Sequence, residues 1–190
     1  AVIAAGWAAR AAGRLTRRDH SSDPARVRTV AVAKFLGLGS IVQSGALLRA
    51  LRERFPNARL VYLTTERNRA LVERIEFVDE ALCLDDRGPG RLAFSLKRAV
   101  DRLRELRIDL YFDLEVYSAF ACLVALASCA RNRYGLYRRS ASYKRGVHTH
   151  LLYFNNRAPI HRIYAQMGEL AGAPYAGRPD LASFLRVDAG

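Results

Sequence analysis

The chain has 190 residues, enough for one domain with a full core and short for two. Half of it is apolar (51%) and about a quarter charged (26%), which is ordinary for a globular protein and leaves disorder only to the ends. Its 31 Lys+Arg against 18 Asp+Glu leave a net charge of +13, a balance that suits an anionic partner and arises equally from an arginine-rich proteome.

The chain begins with Ala rather than Met and is expected to be a fragment. Its opening, "AVIAAGWAARAAG", is followed by the basic "RLTRRDH". The uninterrupted apolar part stops at Arg10, too short to span a bilayer. It fits an interfacial helix with a basic flank, the end of a membrane helix, or a soluble helix. "HSSDPAR", residues 20–26, reads as a polar linker, so residues 1–26 form a segment of their own.

A buried strand is expected over Val27 to Ala33, then a turn from Lys34 to Gly39. Ser40 is suited to N-cap a helix reaching Phe55, whose apolar face is Ile41, Leu47, Leu48, Leu51 and Phe55. Arg59 to Leu63 is the second strand, and Thr65 caps a helix over Glu66 to Arg74. Glu80 to Asp85 is a third strand and "RGPG" at 87–90 a loop. Leu92, Leu96, Ala99, Leu103 and Leu106 recur at helical spacing. Ile108 to Leu114 is a fourth strand, Ser118 to Cys129 a buried helix, "NRYGLY" a fifth strand, Ser140 to Thr149 a basic loop, and Ile160 to Ala173 a last helix. Strands alternating with helices predict an α/β fold, a Rossmann-like doubly wound parallel sheet over 27–174, with ligands at the C-terminal ends of its strands. Residues 175–190 read as a linker.

Three places carry candidate chemistry. The turn with Lys34, Gly37, Gly39 and Ser40 opens a helix, where glycines admit an anion to backbone N–H groups. It matches neither GxGxxG nor a Walker A loop, so a purely structural turn stays open. In "FDLEVYS", Asp113 and Glu115 stand where the fourth strand meets its helix, with Tyr117 close by. Acids at that edge face the crevice and can take a proton from a hydroxyl, or simply complement a helix N-terminus. His148 and His150, two apart, share a face if they lie on a strand, but no third ligand has metal spacing. Cys83, Cys122 and Cys129 form no CxxC pair, and Cys122 and Cys129 read as core packing in a reducing compartment. No helix-turn-helix, RRM or zinc signature accompanies the charge, so no specific nucleic-acid partner is expected.

In order and spacing the segments together resemble glycosyltransferase family 9, the heptosyltransferase family. The matching residues are Lys34 to Leu48 with "RALRERFPNARL", then Val78-Asp79-Glu80, "IDLYFDLEVYSAFACLVALASCARNRYGL" and "HTHLLYFNN". The resemblance covers Val27 to Pro174 and implies the N-terminal, acceptor-binding half of a GT-B fold. The expected reaction is inverting transfer from a nucleotide sugar, needing no metal or cofactor, to an anionic, lipid-linked or cell-surface glycan such as lipopolysaccharide. The donor is expected on a C-terminal domain absent from this chain, which alone should bind acceptor and transfer nothing. The expected place is the cytoplasmic face of the inner membrane, in peripheral contact with it. The family's Gly-Asp acid, its catalytic base, falls here at Ser40, whose hydroxyl is no base near neutral pH. Asp113 or Glu115 is the expected replacement, with Lys34, Gly37, Gly39, Ser40, Tyr117, His148 and His150 as candidate substrate contacts. The alternative is a non-catalytic glycan- or phosphate-binding module that keeps the fold.

Overall fold

The computed structural model describes residues 2–16, 20–175 and 184–186. Its strands are β1 (Thr29–Ala33), β2 (Arg59–Thr65), β3 (Glu80–Leu84), β4 (Leu110–Asp113), β5 (Asn132–Tyr137) and β6 (His150–Tyr153). They form one sheet in the order β3-β2-β1-β4-β5-β6, every pair parallel. That is the doubly wound order, and its direction reverses between β1 and β4, where a crevice opens at the C-terminal ends. The central strands are buried on both faces, so Val30, Val32, Leu60 and Phe112 pack one way while Ala31, Val61, Leu63 and Tyr111 pack the other.

Helices α2 (Leu38–Gln43), α3 (Gly45–Arg54) and α7 (Ile160–Leu170) cover the first face through Ile41, Leu47, Leu51, Tyr164 and Met167. Helices α5 (Pro89–Glu105) and α6 (Ala119–Ala127) cover the second through Ala99, Leu103, Ala121 and Val124. Helix α1 (Val2–Thr16) packs on α6 and on a 3-10 segment, Arg139–Lys144. The short helix α4 (Arg69–Val72) follows a 3-10 turn at Glu66–Asn68. Pro89 opens α5, where its missing N–H costs nothing. Ser118 caps α6 by accepting the Ala121 N–H at 3.0 Å.

Several expectations change. Ser40 is no N-cap: α2 already begins at Leu38, and Gly37, at a φ of 88°, takes the cap position in a conformation that favours glycine. The single helix expected to Phe55 breaks at Ser44, whose hydroxyl donates to the Ile41 carbonyl at 2.6 Å and bends the chain before Gly45. The helix expected over Glu66 to Arg74 shrinks to α4, and the basic loop expected over Ser140 to Thr149 holds a 3-10 segment instead. A sixth strand, β6, follows it. Of the expected linker, 176–183 and 187–190 lie outside the described residues, while Leu185 bridges Ile75 and Phe184 is buried. A Cβ on Gly45 would stand 2.0 Å from the Phe184 ring. Gly45→Ala should therefore lower stability by about 1–3 kcal/mol. In limited trypsin digestion it should speed cleavage after Arg186, whose N–H now donates to Arg74 O; an unchanged rate would refute the docking of Phe184.

Candidate active site

The crevice between β1 and β4 is built from the residues that follow these strands. Lys34 continues β1, donating its N–H to Leu63 O at 3.0 Å. The next turn hangs from the end of β2: Thr64 Oγ1 donates to Lys34 O at 2.6 Å and Asn68 Nδ2 to Phe35 O at 3.0 Å. From β4 comes Glu115. Its Oε1 accepts the backbone N–H of Phe35 at 2.9 Å and of Leu36 at 3.1 Å, and its Oε2 stands 3.0 Å from Lys34 Nζ. The pair is largely buried. One carboxylate thus links the two strand ends at the reversal point. A buried charge pair of this kind holds only when its remaining lone pairs are satisfied, as they largely are here.

Asp113 stands one layer deeper. It is fully buried, in register with Ala33 and Gly135. Its Oδ1 accepts the Glu115 N–H at 3.0 Å and its Oδ2 accepts from Lys144 Nζ at 3.0 Å. Lys144 also donates to the Glu115 carbonyl. His148 Nε2 lies 3.0 Å from the same Oδ2 but out of hydrogen-bond alignment, and His148 Nδ1 is buried without a hydrogen-bond partner. Burial opposes ionisation of Asp113, but His148 and Lys144 outweigh it and hold the carboxyl below its ordinary range. Gly135 makes room for the imidazole, since a Cβ there would stand 2.5 Å from the ring. Gly135→Ala should push His148 off Asp113 and cost about 1–3 kcal/mol, readable as a lower melting temperature; an unaltered one would contradict this packing.

Asp113, Cys122 and His148 place their ligating atoms within 4.8 Å of one another. Lys144, however, already supplies the cation beside Asp113, and burial pushes the Cys122 thiol up to about 12, so it stays protonated. The cluster fits an internal ion pair rather than a metal centre.

The candidate residues therefore divide. Lys34, Gly37, Glu115 and Tyr117 lie on the loops at the crevice, and Gly39 and Ser40 in the first turn of α2 beside them. Ser40 sits inside α2 and hydrogen-bonds Tyr164, whose hydroxyl burial raises well above its usual range. Tyr117 is 56% exposed, accepts Arg138 Nη1 on its hydroxyl at 2.5 Å, and accepts the Tyr143 hydroxyl on its carbonyl at 2.6 Å. Leu36 and Leu38 are exposed beside them. Asp113 does not face the crevice as expected, because β4 ends on it and the segment carrying Lys144 closes over it. His148 and His150 do not share a face. His148 precedes β6 and turns toward Asp113, whereas His150 begins β6 and stacks on Tyr134 at 4.5 Å. Burial, and then His20, hold His150 toward its neutral form. The sequence reading passed over Lys144 within its basic loop; a lone lysine among arginines is a weak signal, but it is the cation that permits a buried Asp113.

No family model matches the sequence, and no curated protein matches it. Solved structures do match in fold. One is a glycosyl transferase family 9 protein from Veillonella parvula DSM 2008, 17% identical, with a TM-score of 0.66 over 77% of this chain and 41% of that one. E. coli ADP-heptose lps heptosyltransferase II is 18% identical, with a TM-score of 0.63 over 86% and 48%. E. coli heptosyltransferase WaaC, solved with ADP-2-deoxy-2-fluoro heptose, is 12% identical, with a TM-score of 0.68 over 81% and 52%. The chain spans about half the length of these structures. The likeness is one of fold: a Rossmann-like doubly wound sheet of the kind that makes one half of a GT-B enzyme.

Proposed function

We propose that the chain is the acceptor-binding half of an inverting glycosyltransferase that acts on a lipid-linked or cell-surface glycan in lipopolysaccharide or polysaccharide synthesis. The observation that carries this reading is the Lys34–Glu115 pair bridging β1 and β4 at the reversal point, in a fold similar to heptosyltransferases. Glu115 Oε2 has one partner where Oε1 has two, so it keeps a lone pair for an acceptor hydroxyl. In the reaction the hydroxyl proton passes to Oε2 as the oxygen bonds the anomeric carbon. The bond from that carbon to the nucleoside diphosphate breaks on the opposite side, and its electron pair leaves with the diphosphate. Lys34 steadies the negative charge. The donor, a nucleotide sugar, is expected from a second domain across the crevice.

A second reading has its own observation. Ser40 stands where the resembling family has its acid, and both Glu115 oxygens are already engaged, so the domain can serve as a glycan- or phosphate-binding module. Radiolabelled sugar transfer to a glycolipid by the full-length protein separates the two. Transfer supports the enzyme; binding without transfer supports the module.

We further propose that the protein works at the cytoplasmic membrane surface, with α1 as the contact. Ile3 and Trp7 are 57% and 65% exposed on that helix, and the net charge of +13 favours an anionic bilayer. No helix among the described residues is long and apolar enough to cross a membrane. Trp7→Ser should weaken co-sedimentation with anionic vesicles by about tenfold or more, the effect of withholding one large side chain from the interface. Equal partitioning would remove α1 from the contact.

A further inference from the structure

We propose that a cleft at the N-terminal edge of the sheet, on the side away from the crevice, binds a small oxyanion of the phosphate class. The cleft measures about 350 Å³ and is lined by Arg104, Arg107, Asp109, Ser128, Cys129 and Arg131. It lies where α5 and α6 end and their chains turn into β4 and β5. Three guanidinium groups face one carboxylate there.

Helix C-termini attract cations, and one of the three arginines answers that demand: Arg104 Nε donates to Ala127 O, at the end of α6, at 2.7 Å. The other two do not. Arg131 Nε and Nη2 are buried without a hydrogen-bond partner, and Nη2 approaches Asp109 Oδ1 only to 3.5 Å. Asp109 Oδ2 is taken by the backbone N–H of Arg28 at 2.8 Å and Thr29 at 3.2 Å. Guanidinium donors left without an acceptor are costly; the Arg131 side chain is 25% exposed into the cleft, and a small turn of it toward an oxyanion would supply several acceptors at once. Arg107 is exposed, and its guanidinium has no ion pair or hydrogen bond among the described residues.

The backbone points the same way. Among the described residues only Arg107 and Cys129 are non-glycine residues with positive φ, at 51° and 56°, and both line this cleft. Each follows a helix end, where glycine adopts the left-handed turn without strain. A side chain there costs about 1 kcal/mol or more. Here a guanidinium and an exposed thiol stand at those positions instead.

Cys129 makes the proposal measurable. It is exposed, Cys83 is half-buried outside the cleft, and Cys122 is buried. In the full chain, alkylation of Cys129 by iodoacetamide is followed by peptide mass spectrometry, with Cys83 as the internal reference. Inorganic phosphate is titrated against chloride at matched ionic strength, and in parallel phosphatidylcholine vesicles are added with and without phosphatidic acid. An anion in the cleft covers the thiol and disfavours its thiolate, so the Cys129 rate should fall saturably, by about threefold or more at high phosphate. Protection by phosphate identifies a free anion as ligand; protection by phosphatidic acid vesicles alone identifies a lipid headgroup. Arg131→Gln and Arg107→Gln should each abolish the effect, the second at an exposed side chain. The proposal fails if neither phosphate nor phosphatidic acid protects, or if protection survives in both variants. None of these readouts passes through sugar transfer, so the outcome is independent of the function proposed for the crevice.

Discussion

Glu115→Gln in the full-length protein is expected to lower the turnover of sugar transfer at least ~100-fold, the usual worth of a positioned general base. Glutamine keeps a carbonyl oxygen able to accept the Phe35 and Leu36 N–H groups that Oε1 now accepts. The turn that presents Lys34 should therefore survive. The amide nitrogen, however, replaces Oε2, the atom 3.0 Å from Lys34 Nζ. It offers donors to an ammonium and no lone pair to a hydroxyl. The loss should fall on kcat, with acceptor binding within a few fold of the parent. Lys34→Met gives the complementary result: the carboxylate remains but loses its cation, so acceptor binding and turnover fall together if the acceptor or leaving group is anionic. A Glu115→Gln protein that transfers sugar at the parent rate would move the base elsewhere and leave Glu115 a brace between β1 and β4.

Lys144→Met is expected to be the most destabilising single change in the domain, at about 3–5 kcal/mol. Lys144 and Asp113 side chains are both 0% exposed. Removing the ammonium leaves a carboxylate in the core with only His148 and the Glu115 N–H to face it. A loss of that size is a large share of the ~5–15 kcal/mol typical of a domain. Asp113→Asn on top of Lys144→Met should recover much of it, because the amide oxygen still accepts the Glu115 N–H and no charge is stranded. Urea unfolding of the single and double variants checks this; a double variant no better than the single would mean the pair is not coupled.

The same pair predicts an acid limb. Asp113 is held below its ordinary range in the folded state, His148 and Lys144 outweighing burial. Its contribution is then fully present above its unfolded value of about 3.9 and is lost as pH falls through the folded one. Asp113→Asn should flatten the decline of stability below about pH 4. An acid limb as steep as the parent's would place the titrating group elsewhere.

Strand and helix alternation was legible along the chain because each element writes its period locally. "NRYGLY" is β5 residue for residue, Ser118 caps α6, and the leucine spacing of α5 is the face it buries. These regularities settled a doubly wound parallel sheet with its crevice at the C-terminal strand ends. The +13 charge is likewise a property of the sequence alone. What the tertiary structure decided is which charges meet. Asp113 and Glu115 are two residues apart and look alike in the sequence, yet one lies in the core and the other bridges the crevice. The difference is made by Lys144, 31 residues beyond Asp113. Similarly, His148 and His150 part company because β6 begins between them, and Arg107, Cys129 and Arg131 meet because two helices end at one edge of the sheet. Local periodicity fixes the direction of a side chain within its own element. Its ionic partner, its burial and thus its chemistry depend on long-range contacts that no single segment contains.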